Sequence, residues 1–171
     1  MRKLGFPFGF LLFMVPLPDG VVAHLEHGSK VASAEAADWW FALAGLPVLR
    51  EGVTFHIPGI VLAVADECSG IRSSWVLLIT AVLAGELFLV SLWWKWLLAG
   101  LVIPLGILRN GFRIMVIGVL CAEYGPEMIH SVVHRRGGPF FFGLSLAVLL
   151  LLAWIFRGLE RRLKVRKASQ E

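Results

Sequence analysis

Long apolar runs broken by short polar stretches fill the chain from residue 4 to residue 156, and the length of each run predicts its element. Residues 4–17 are apolar, follow Arg2 and Lys3, and are interrupted by Pro7 and Pro16. A signal peptide has the same outline, but no clean small-residue cleavage site follows, so the run reads as a short first span. Residues 19–46 mix polar and apolar positions. Within them Ser33 to Trp40 predicts a helix lying at an interface, because paired tryptophan is typical of headgroup depth. From 47 to 66, Gly52 and Pro58-Gly59 punctuate short β-branched runs, which predicts two or three strands. Three apolar helices follow over 69–92, 97–123 and 138–156. The group Trp93, Trp94, Lys95 and Trp96 marks an interface between the first two, and 124–137 is a polar connection.

A helix needs about 20 apolar residues to cross a hydrocarbon core. The fold class expected is therefore an all-α membrane protein: a multi-span transmembrane helix bundle with a small extracytoplasmic β-hairpin. It forms one domain over residues 1–171, with 19–67 as the interfacial helix and hairpin and 157–171 as a basic tail. Composition agrees. Hydrophobic residues make up 58% without glycine, and charged residues 16%, against about 25% charged in a soluble domain. Such a balance excludes disorder, a disulfide scaffold and nearly every soluble enzyme class. The two cysteines, Cys68 and Cys121, are too few for a disulfide framework.

The net charge of +4 is concentrated. Arg157, Arg161, Arg162, Lys164, Arg166 and Lys167 fall in the last fifteen residues. Directly after an apolar helix, such a cluster reads as a cytoplasmic anchor. No base-stacking module accompanies it, so a nucleic-acid partner is not expected. If Arg2-Lys3, Lys95 and the tail all lie inside, then 19–68 and 124–137 lie outside. Cys68 and His134 then share one membrane face.

Cys68 begins a helix in Asp66-Glu67-Cys68-Ser69-Gly70-Ile71-Arg72. Free N–H groups at a helix start stabilise a thiolate. Arg72, one turn on, adds to this, while Asp66 and Glu67 oppose it. A buried structural cysteine is the plain alternative. Arg113 lies inside an apolar run, where insertion costs about 2.5–3.5 kcal/mol, so it should face the bundle interior and meet a partner. Arg109 better suits a snorkelling role at a helix end. Glu127, His130 and His134 share a face if helical, which is a possible metal constellation from one short stretch. His24, His27 and His56 read as ordinary polar residues. A helix-start cysteine, an intramembrane arginine and an interfacial histidine together suit cysteine acyl transfer.

These residues carry a resemblance to the exosortase/archaeosortase family of integral-membrane proteins, over nearly the whole chain. Cys68-Ser69-Gly70-Ile71-Arg72-Ser73 is similar to that family's cysteine motif, and Asn110-Gly111-Phe112-Arg113 to its arginine motif. His134 followed by Gly138 and Phe140-Phe141 is similar to its histidine motif. Residues 6–18, Pro47 to Gly52 and Pro58-Gly59 resemble the preceding span and hairpin. The resemblance implies a membrane cysteine transpeptidase or protease of the prokaryotic cytoplasmic (inner) membrane. Its active site would face outside and its C-terminus the cytoplasm. The implied roles are Cys68 as nucleophile, Arg113 as transition-state stabiliser and His134 as acid/base, with His130 as the fallback histidine. Its partners would be membrane-anchored proteins with a C-terminal sorting signal, and bacterial members often accompany exopolysaccharide export. No cofactor or metal is implied. Many members carry further spans before this core, so a shortened or minimal form is expected. The competing readings are a metal- or haem-binding membrane protein using Glu127, His130 and His134, and a non-catalytic assembly subunit.

Overall fold

A computed structural model describes residues 10–15, 18–57, 60–64, 71–125 and 132–168. Of the expected first span over 4–17, the described part holds a 3₁₀ turn at Leu11–Met14. Phe13 there meets Trp75 edge-on, with ring centroids 5.6 Å apart.

The mixed segment that follows folds as one helix, α1, over Asp19–Leu43. This corrects the expectation of a short interfacial helix around Ser33 to Trp40. No proline interrupts residues 19–43, and Pro18 immediately precedes the helix with a φ of −58° that suits helix entry. Gly45 ends it at φ +70°. Gly45 N–H bonds to the Ala42 carbonyl and Leu46 N–H to the Phe41 carbonyl, the paired bonds that close a helix on a left-handed glycine. The buried stripe of α1 is Ser33, Ala34, Ala37 and Phe41.

Three short strands follow: β1 at Leu49–Glu51, β2 at Thr54–Ile57 and β3 at Ile60–Ala63. They form an antiparallel meander, in register Arg50 to Phe55 and Phe55 to Leu62, as the punctuation predicts. Phe55 and Ile57 alternate onto the buried face. Phe55 meets Phe41 at 5.3 Å between rings, so the sheet is seated on the end of α1.

The bundle is built from α2 (Ile71–Phe88), α3 (Leu92–Gly100), α4 (Val102–Tyr124) and α5 (Val132–Ala168). Leu101 keeps helical angles, and its amide bonds to Leu97, so α3 and α4 form a nearly continuous rod. Trp93, Trp94, Lys95 and Trp96 therefore belong to the first turns of that rod, not to a connection before it. The last helix also exceeds its expected bounds of 138–156. It includes 132–137, assigned above to a polar connection, and runs through Pro139. At the other end it takes in residues 157–168 of the expected tail. Leu159, Glu160, Arg161, Arg162, Leu163 and Lys164 are all good helix formers, and Glu160 and Lys164 pair across one turn at 3.8 Å.

Leu77, Ala81, Leu98, Val102, Leu149, Ala153 and Phe156 form the core where α2, α3, α4 and α5 meet. A second core joins α1, the sheet and Ile114. Glycines let α1 approach α4 closely. Gly111 faces Ala36 and Ala37, and Gly118 faces Phe41 and Ile57.

Leu92–Tyr124 and Gly138–Lys164 are each long and apolar enough to cross a membrane, and Ser73–Phe88 is a shorter apolar helix. Two polar layers bracket them. At one end Glu160 on α5 accepts the Ser91 amide at 2.6 Å and the Val90 amide at 3.1 Å, and Lys95 pairs with Glu86. At the other end Arg109 reaches Ser73. At a helical rise of 1.5 Å per residue, the layers are separated by about 26 Å along α2, about 27 Å along α3–α4 and about 33 Å from Gly138 to Glu160. A bilayer's hydrocarbon core is about 30 Å thick.

Candidate functional site

At the Arg109 end, α2, α4 and α5 diverge around a cleft of about 420 Å³. The first turns of α2 contribute Ser73 and Val76 to its lining, and α4 contributes Arg109, Asn110 and Arg113. Gly138, Pro139, Phe141 and Phe142 come from α5. The spacing of the three α4 side chains, i, i+1 and i+4, puts them on one face. That face continues the buried stripe of Gly106, Gly111, Ile114, Ile117 and Gly118.

Aromatic contacts fix the rotation of α4. The Trp40 indole N–H donates to the Leu108 carbonyl at 3.1 Å, and its ring meets Phe112 edge-on at 5.2 Å. Phe112 in turn meets Phe141 at 6.1 Å. Phe112 therefore faces α1 and α5, while Arg109, Asn110 and Arg113 line the cleft. Edge-to-face pairs of this kind contribute about 0.5–1.5 kcal/mol each beyond their area.

Arg113 lies half-buried in the cleft wall, as its place inside an apolar run predicts. Arg109 corrects the sequence reading. It does not snorkel at a helix end. It is 9% exposed, lines the same cleft, and donates from Nη2 to Ser73 Oγ at 2.7 Å. The physical reason is the packing of α2 on α4, which buries Arg109 and brings Ser73 within hydrogen-bond reach of it. Asn110, beside it, is 2% exposed.

Two guanidiniums one helical turn apart in a sheltered cleft can stabilise negative charge developing on a bound group. The sequence reading gives Arg109 a snorkelling place and Ser73 and Asn110 no role of their own, so it misses all three as cleft residues. The i, i+4 spacing of Arg109 and Arg113 is the signal that points to a shared face.

Cys68 lies outside the described residues, as do Glu127 and His130. The helix expected to start at Cys68 is described from Ile71, and Ser73 of the same motif lines the cleft. His134 is in the first turns of α5, one turn before Gly138, but its side chain lies outside the described residues. So does the Arg72 side chain. Cys121 is a free, buried thiol on α4. No group of three metal-binding side chains occurs among the described residues.

No curated protein and no solved structure matches the chain. A family model described as transmembrane exosortase matches residues 1–151.

Proposed function

Because the chain belongs to the transmembrane exosortase family, we propose that it is a membrane cysteine transpeptidase acting on C-terminal sorting signals. One observation carries the reading: Ser73, Arg113 and Gly138 line a single cleft. These positions belong to the three separate motifs that carry Cys68, Arg113 and His134. Ser73 is five residues after Cys68, and Gly138 four residues after His134. A five-residue segment spans at most about 18 Å, which tethers Cys68 to the neighbourhood of the cleft.

In this reading α2, α3–α4 and α5 span the bilayer with the first run of the chain, and the cleft opens on the outer face. The basic end of α5 then lies in the cytoplasm of a prokaryotic cell. The Cys68 thiolate attacks the scissile carbonyl of a signal-bearing, membrane-anchored protein. Negative charge builds on the carbonyl oxygen, and the Arg113 guanidinium stabilises it. His134 donates a proton to the leaving amine as the tetrahedral intermediate collapses to a thioester. It then takes a proton from the acceptor nucleophile, which attacks the thioester and regenerates Cys68. Arg109, held by Ser73, lines the same cleft as Arg113.

Co-expression with a signal-bearing protein tests this. Processing should be abolished by Cys68→Ala and by His134→Ala, and reduced on the order of 10²-fold or more by Arg113→Gln. Equal amounts of each variant in the membrane fraction make the comparison valid. Normal cleavage by the Cys68→Ala chain overturns the proposal.

A further inference from the structure

At the end of α5 remote from the arginine cleft, an apolar surface passes directly into a basic one. Leu149, Ala153, Phe156 and Glu160 are buried and recur every three or four residues, so they define the inward face. Opposite them on the helix stand Leu151, Trp154, Ile155 and Gly158, then Arg161 and Arg162. Trp154 is 72% exposed, and Leu151 and Ile155 are also exposed. At Gly158 nothing lies within 4 Å of where a Cβ would stand. Around Gly158 lies an open notch of about 520 Å³, lined by Trp154 and Ile155 and by Arg157, Arg161 and Arg162.

The notch is electrostatically one-sided. The nearby carboxylate, Glu160, is 6% exposed and turned inward, where it accepts the Val90 and Ser91 amides and pairs with Lys164. Among the described residues, no acidic side chain lines the notch. Arg157 is partly ordered, with its guanidinium 5.9 Å from the Phe88 ring centroid. Planar guanidiniums suit the several oxygens of a phosphate.

We propose that this notch binds the phosphate of an anionic phospholipid, whose acyl chains lie along Trp154, Ile155 and Leu151. A free phosphate would make no use of the apolar half of the surface. A zwitterionic lipid would bring its own ammonium toward three guanidiniums. Exposed tryptophan beside arginine is also the pattern expected at headgroup depth. Only the placement of α5 in a bilayer is required, and the chemistry at Cys68 plays no part.

The test is native mass spectrometry of the full chain in detergent, loaded with equal phosphatidylglycerol and phosphatidylcholine. The wild-type chain should retain phosphatidylglycerol preferentially. Replacing Arg157, Arg161 and Arg162 by Gln should lower that retention at least about tenfold. Replacing Lys164, Arg166 and Lys167 by Gln removes as many charges beyond the notch and should leave it intact. Gly158→Leu puts an apolar side chain into the floor of the notch, keeps every charge and favours the helix, and it should lower retention as the arginine variant does. Undiminished retention in Gly158→Leu, or equal losses in the two triple variants, would reduce the effect to diffuse charge and overturn the proposal. Displacement of the lipid by inorganic phosphate at matched ionic strength would also overturn it.

Discussion

Single atoms decide how closely α1 can approach α4. A Cβ added at Gly111 would stand 2.7 Å from Ala36 Cβ and 2.8 Å from the backbone of Ala36 and Ala37. Backbone cannot swing aside, so α1 must move. At Gly106 the nearest atom is Ser74 Oγ at 2.6 Å, a hydroxyl that can rotate, with the next at 3.5 Å. Gly111→Ala should therefore destabilise by about 1–3 kcal/mol. Gly106→Ala should be near neutral, because alanine gains roughly 1 kcal/mol in helix propensity. Thermal unfolding in detergent separates the two, and equal midpoints would contradict the close approach at Gly111. Both glycines are visible in the sequence on an apolar helix, but what each one touches is not. The same holds for Arg109 and Arg113. Their spacing is legible, yet Arg109 is assigned correctly only once Ser73, 36 residues away in the chain, is found 2.7 Å from it.

At the scale of elements, the break between α2 and α3 is held by a residue from α5. Ser91, the N-cap of α3, makes no side-chain cap of its own. Glu160 supplies the acceptor, taking the Ser91 and Val90 amides on its two oxygens. A carboxylate there also meets the positive end of the α3 dipole. Glu160→Ala should cost about 1–3 kcal/mol through two unsatisfied amides. Hydrogen exchange at Val90 and Ser91 should quicken in that variant, while Glu160→Gln should retain part of the protection. Unchanged exchange at both amides would remove Glu160 from this role. The sequence shows Glu160 only as one acid in a basic run, which reads as a tail. Helix formation by residues 157–168 brings it to Ser91, and that follows from packing rather than local pattern.

On the scale of the whole molecule, the polar layers at Ser73–Arg109 and at Ser91–Glu160 set two faces about one hydrocarbon thickness apart. In the orientation proposed from the charge pattern, the Ser73–Arg109 face lies outside. In a chain lacking Cys68 and Cys121, a cysteine at Glu51, at the exposed end of β1, should react with a membrane-impermeant maleimide in intact cells. A cysteine at Lys164, whose side chain is 60% exposed, should react only after permeabilisation. The reverse pattern would invert the orientation proposed for the cleft.

The sequence by itself determines which segments are apolar helices, where the strands fall, and that Arg113 belongs inside the bundle. Those properties sum along a local stretch: transfer from water to lipid, turn residues, and the cost of a charge within an apolar run. Only the tertiary structure decides that α1 is one long helix laid against α4, and that Arg109 joins Arg113 in one cleft. It also decides that Glu160 caps a helix from across the bundle, and that α5 continues as a helix to Ala168. Each of these depends on contacts between residues far apart in the chain, and no local pattern encodes which distant partner arrives.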